Sequence, residues 1–198
     1  MNLSKSIKGL LVLVIVVVAL VGCCSSKYNG MVQQEEAVTT AWGNVQNQYQ
    51  RRADLIPNLV NTVKGYAEHE SSTLENVVAA RAKATQMTID PTNMTAEQLK
   101  EYQEAQGELS SALGRLIAVQ EAYPDLKANE NFRDLQVQLE GTENRINESR
   151  RQYNEAVQSY NVAIRTFPAN IVAGIFGFQQ KVKFEASESA QKAPTVEF

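Results

Sequence analysis

An all-α fold, an antiparallel up-and-down four-helix bundle of long helices behind an N-terminal hydrophobic leader or anchor helix, follows from three observations. Apolar residues recur at alternating spacings of three and four along most of the chain, which is how helix faces that pack on one another read in sequence. Gly and Pro are few, 10 and 5 in 198 residues, too little turn chemistry for a sandwich or barrel. Ala, Gln, Glu, Leu and Arg abound instead, residues whose side chains lose little freedom in a helix. The length suffices for one domain with a core, and a net charge of −3 offers no basic stripe to a nucleic acid.

The leader comes first. Lys5 and Lys8 precede an uninterrupted apolar run over 10–21, within the length of a signal-peptide core and short of the roughly 20 residues of a spanning helix. Extended over 7–24, the run approaches a span. Leu20-Val21-Gly22-Cys23 resembles a bacterial lipobox, with a small residue before the cut and a thiol to alkylate. Residues 1–22 are therefore read as a signal peptide, Cys23 as the lipidated N-terminus and 23–30 as a linker. An uncleaved signal anchor is the alternative. Either leaves the rest of the chain outside the cytoplasm if the positive charges stay inside. Cys23 and Cys24, the only cysteines, are adjacent and cannot staple the domain.

Residues 31–168 supply the bundle. The first seam is Met31, Glu35, Val38, Trp42, Val45 and Tyr49. Pro57 removes an amide donor and clashes with the preceding turn, so one helix is expected to end near Arg52 and the next to start between Asp54 and Pro57, with Asp54 as cap. The second seam is Ile56, Val60, Val63, Ala67, Leu74 and Val77, ending near Met87, with a capping-box pattern at Ser72 to Glu75 that permits a break near Ser71. A turn at 89–94 follows, and Thr95 with Gln98 caps a third helix along Leu99, Tyr102, Gln106, Leu109, Leu113, Leu116, Gln120 and Tyr123. The fourth keeps a heptad from Phe132 through Leu135, Leu139, Thr142, Ile146, Ser149, Tyr153, Ala156, Tyr160 and Ala163 to Phe167, and Pro168 ends it. The runner-up is a three-helix bundle whose first helix continues, kinked, through Pro57.

The block from Gln48 to Glu70, QYQRRADLIPNLVNTVKGYAEHE, resembles the signature of the LemA family of bacterial proteins. The likeness extends to Tyr28-Asn29, Ala41-Trp42, residues 79–82, residues 160–165, Phe167-Pro168 and Gly177-Phe178. The resemblance implies a membrane-tethered, all-helical bundle of the bacterial cell envelope and carries no catalytic residues with it.

Beyond the bundle, residues 169–184 are apolar but too short to span a membrane. They are expected to fold back and plug the open end of the bundle, or else to form a membrane-proximal or partner-docking patch of Ile175, Phe176 and Phe178 with Lys181 and Lys183 near lipid phosphates. Residues 185–198 are polar and read as a disordered tail.

No chemistry-bearing constellation stands out. His69 is the sole histidine, and Glu68-His69-Glu70 lacks the spacing of a zinc site, so no metal, cofactor or catalytic residue is assigned. Phosphate-cradling glycine loops and nucleophile elbows are absent. Arg51, Arg52, Asp54 and Pro57 mark a structural hinge, held by capping and local ion pairs, or a recognition corner. The reading is a non-enzymatic scaffold that touches the membrane and envelope proteins. A self-associating structural protein is the alternative, hinted at by polar Gln106, Gln120 and Thr142 on seams.

Overall fold

A computed structural model describes residues 5–185, and among them the chain is all-helical with no strand. The expected disordered tail lies, save Glu185, outside the described residues. The helices are α1 (Lys5–Lys64), α2 (Ser71–Gln86), α3 (Ala96–Ala118), α4 (Pro124–Ala128), α5 (Glu130–Arg165) and α6 (Ala169–Phe176).

Helix α1 corrects the expected break. It runs unbroken through Pro57, so Asp54 caps nothing, and residues 23–30 are helical within it. The seam explains why. Met31, Val38, Trp42, Val45, Tyr49, Arg52, Ile56, Leu59 and Val63 are all buried, with Glu35 half-buried, so the three-four beat never slips across the proline. Pro57 itself is exposed. A helix-interior proline costs about 3 kcal/mol, whereas each buried Ile, Leu or Val beyond it contributes roughly 1.5–3 kcal/mol. The break comes instead at residues 65–70, after which α2 starts at Ser71 with no side-chain cap. The capping box expected at Ser72 does not form.

The other starts follow local chemistry. Thr95 and Gln98 form the reciprocal capping box on α3. Asp90 accepts the Thr92 amide at 2.9 Å within the preceding turn. Asn129 accepts the Phe132 amide at 2.9 Å at the start of α5. Gly177 closes α6 in the left-handed conformation (φ 77°), and the Phe178 amide donates back to the Ala173 carbonyl at 3.0 Å, a closure that a side chain at 177 would strain.

Along α5 the seam holds from Phe132 to Tyr153 and again at Tyr160, but Val157 and Ile164 are buried where Ala156 and Ala163 were expected, and Phe167 is exposed. A straight helix of 3.6 residues per turn drifts against a strict heptad, and a four-residue step restores the facing.

The chain forms two compact units. One comprises residues up to Thr39 with 155–181; its interior holds Met31 and Val38 of α1, Val157, Tyr160 and Ile164 of α5, and Val172 and Ala173 of α6. The other comprises 40–154 with the residues from Val182 on. Its core joins Ile56, Leu59 and Val63 to Leu74 and Val77 of α2, Leu109 and Leu116 of α3, Leu126 of α4 and Phe132 of α5.

Candidate functional site

The seam of α1 places one charged residue in the interior of the second unit. Arg52 is 2% exposed, and its guanidinium spends four hydrogen bonds on two other helices. Nη1 donates to Ser110 Oγ at 2.6 Å and to Glu143 Oε2 at 2.9 Å. Nη2 donates to the Gln106 carbonyl at 3.2 Å and to its Oε1 at 2.6 Å. Gln106 Nε2 passes the chain on to the Ala84 carbonyl of α2 at 3.3 Å. A planar fork of donors suits this convergence as a lysine point charge would not. The Arg52 Nε, also buried, has no hydrogen-bond partner among the described residues.

A second arginine serves the proline. Pro57 has no amide to give the carbonyl of Ala53, four residues back, and Arg81 Nε of α2 donates to that carbonyl at 2.8 Å. The hinge reading is thereby corrected: Arg52 bonds across helices rather than locally, Asp54 accepts from Gln50 Nε2 on the same exposed face at 2.7 Å, and Arg51 is exposed.

This network opens onto a groove of about 1550 Å³ between α3 and α5, with Arg52 and Tyr49 at its base, Gln103 and Lys100 on one wall and Asn147 and Arg150 on the other. Phe184, from the stretch without helix or strand after α6, lines it. Its ring stacks on Trp42 (5.8 Å between centroids), meets Tyr153 edge-on (5.4 Å) and lies under the Arg150 guanidinium. Burial raises the hydroxyl pKa of Tyr49 and Tyr102, with Arg150 and Arg52 opposing it at Tyr49, and pushes Tyr153 up to about 12.

In the first unit Lys181 forms an ion pair with Glu35 at 2.8 Å, its side chain 10% exposed and near the Tyr160 ring. Burial, and then Glu35, push Tyr160 up to about 12. Lys181 thus faces an acid of its own chain. Lys183 is exposed. Phe176 and Phe178 pack on Tyr28 of α1 at 4.8 and 5.6 Å, while Ile171, Ile175 and Phe176 remain exposed. The apolar segment therefore divides, with Ala169, Val172 and Ala173 inward and these three outward.

Chemically the arrangement is a connector. Arg52 ties α1 to α3 and α5, and the Ser110 hydroxyl accepts one of its hydrogen bonds. His69 is exposed, and the described residues contain no metal-binding cluster. Gln106 is satisfied inside the chain, as is Thr142, whose hydroxyl bonds the Gln138 carbonyl. Cys23 and Cys24 are exposed thiols on α1. Residues 10–21 are exposed, and this half of α1 is long and apolar enough to cross a membrane.

The chain is similar to known proteins over most of its length. Magnetosome protein MamQ 2 of Paramagnetospirillum magneticum is 28% identical, covering 87% of this chain and 70% of its own. Magnetosome protein MamQ of Magnetospirillum gryphiswaldense is 27% identical over 92% of this chain and 73% of its own. Protein LemA of Metamycoplasma hominis is 26% identical over 81% and 69%. The LemA family profile matches residues 41–198, which take in Arg52, Pro57, Arg81 and the groove, and the chain belongs to the LemA family.

Proposed function

We propose that this protein is a non-enzymatic, membrane-anchored helical scaffold of the bacterial cell envelope that binds other envelope proteins. One observation carries the reading: a single helix, α1, bears an exposed apolar stretch at 10–21 and, from Met31 on, a buried seam. An exposed run of that kind is costly in water and stable in lipid. Lys5 and Lys8 orient it with the folded part outside the cytoplasm. The anchor takes one of two forms: this helix left uncleaved, or residues 1–22 cut away and Cys23 lipidated in its place.

The short links after α1 and α2 favour antiparallel neighbours, and α1, α2, α3 and α5 then make an up-and-down four-helix bundle. The packing of Phe176 and Phe178 on Tyr28, a few residues past the apolar run, supports a membrane-proximal patch of Ile175 and Phe176. The relatives' names, magnetosome protein and protein LemA, state no reaction, in keeping with a scaffold.

The test is crosslinking in intact cells followed by identification of the bound proteins. Reproducible capture of particular envelope proteins is the expected result. Capture of copies of this chain alone favours the self-associating structural protein, and hydrolysis of a supplied substrate that tracks the purified protein ends the scaffold reading.

A further inference from the structure

Residues 182–185 belong to the second unit and are neither helix nor strand. Side chains of α3 and α5 hold their backbone. Asn154 Nδ2 donates to the Phe184 carbonyl at 3.0 Å, and its Oδ1 accepts the Phe184 amide at 2.9 Å. Tyr153 Oη donates to the Val182 carbonyl and Gln103 Nε2 to the Glu185 carbonyl, each at 3.1 Å. None of these bonds reads a side chain. Within the first unit Asn161 clamps the backbone of Lys181 in the same way, at 2.8 and 2.9 Å, although lysine and phenylalanine share no side-chain chemistry.

The side chain that goes in is Phe184. It is 6% exposed, whereas Lys183 and Glu185 on either side are exposed. Its ring meets Trp42 and Tyr153 at 5.8 and 5.4 Å, and the Arg150 guanidinium lies 4.6 Å from its centroid. Aromatic walls with a guanidinium above them select an aromatic ring. Phe184, a plain ring, offers no acceptor to Trp42 Nε1, which is buried and has no hydrogen-bond partner among the described residues. Backbone bonds for affinity and one pocket for specificity are the parts of a peptide-recognition site.

We propose that Trp42, Gln103, Arg150, Tyr153 and Asn154 form a recognition site for a non-helical segment of an envelope protein carrying one aromatic residue, and that residues 182–185 are its tethered competitor. This rests on the scaffold reading and adds the chemistry of the partner. The seated segment itself shows what fits: backbone of any sequence, one aromatic side chain, charged neighbours left in water. The groove of the second unit opens beside the seat and gives a longer segment room to run on between α3 and α5. Release of residues 182–185 breaks side-chain bonds to their backbone and withdraws one ring, with no helix unwound.

A peptide of that chemistry, acetyl-Lys-Val-Lys-Phe-Glu-amide nitrated on its phenylalanine ring, tests the site on the full chain in detergent. Trp42 is the one tryptophan of the chain, and a nitrophenyl ring seated on it quenches its emission. The tethered segment competes at an effective concentration of about millimolar. Phe184→Ala removes its anchor, so half-quenching is expected at about ten- to a hundredfold less peptide than in the unaltered chain, the worth of one buried phenyl group. N-methylation of the nitrophenylalanine amide removes the donor to Asn154 and is expected to weaken seating about five- to tenfold. Equal half-quenching in the two chains overturns the proposal, because residues 182–185 are then no competitor. So does equal quenching by the methylated peptide, which reduces the effect to the filling of a cavity. If Phe184→Ala does not fold, the unaltered chain decides: peptide at about millimolar concentration must quench Trp42 and speed hydrogen exchange of the Phe184 amide, and the absence of either overturns the proposal. Failure here leaves the scaffold reading to its crosslinking test, and crosslinking that captures nothing leaves the peptide result standing.

Discussion

Arg81 of α2 donates its Nε hydrogen to the carbonyl oxygen of Ala53 in α1 at 2.8 Å, the acceptor that Pro57 leaves without a helical partner. The two features are complementary: the proline frees a carbonyl inside the helix, and a side chain from the neighbouring helix takes it. The proline thereby becomes an address for α2 rather than a break.

That relationship predicts non-additivity. Arg81→Ala leaves the Ala53 carbonyl unpaired and is expected to cost about 1–3 kcal/mol. In a Pro57→Ala background the helix supplies its own donor, and the same substitution should cost less. Thermal unfolding of the four variants measures the coupling; equal costs in both backgrounds would mean the carbonyl is satisfied otherwise.

Arg51 and Arg52 are neighbours with opposite fates. Arg52→Met strands the buried Gln106 side chain and should lose about 1–3 kcal/mol. Arg51→Ala, on the exposed side, should stay within about 0.5 kcal/mol. Denaturant titration separates them. Equal losses would return both to a single local role.

Lys181 is expected to act on the fold rather than on lipid. Lys181→Met removes the partner of the half-buried Glu35, so the melting temperature falls. Binding of anionic vesicles should not change. Reduced vesicle binding at an unchanged melting temperature would restore the headgroup-facing role read from sequence.

Alkali should unfold the protein in a defined window. Burial holds the Tyr153 and Tyr160 hydroxyls protonated to about 12, against an ordinary value of 10.0. Between those values the unfolded chain has lost protons that the folded one keeps, so stability is fully present below pH 10 and declines as pH rises toward 12. Phenolate absorbance against pH, with Tyr153→Phe as control, should show a late-titrating class that disappears on unfolding.

The anchor is checked by intact mass. Lipidation predicts a mature chain beginning at Cys23 with a diacylglyceryl thioether. A chain that begins at Met1 with unmodified Cys23 leaves the uncleaved apolar helix as the tether.

Much of the fold was legible because helix faces are periodic. The seam of α3 from Leu99 to Leu116, most of that of α5, the capping box at Thr95 and the stop at Pro168 could be read in one dimension, whereas Gln120 and Tyr123, expected on the third seam, lie past the end of α3 at Ala118. Continuity of α1 was legible too: the beat from Met31 through Tyr49 continues at Arg52, Ile56, Leu59 and Val63, which puts Pro57 outside and Arg52 inside. The local penalty of proline outweighed that signal in a reading confined to neighbours in sequence.

Sequence alone determined the helical class, the exposed apolar leader and the family, since these rest on composition, short-range spacing and motif. Only the tertiary structure decided what Arg52, Arg81, Asn154 and Asn161 do. Their partners lie 91, 28, 30 and 20 positions away, and a polar side chain's role is fixed by the groups it meets in space.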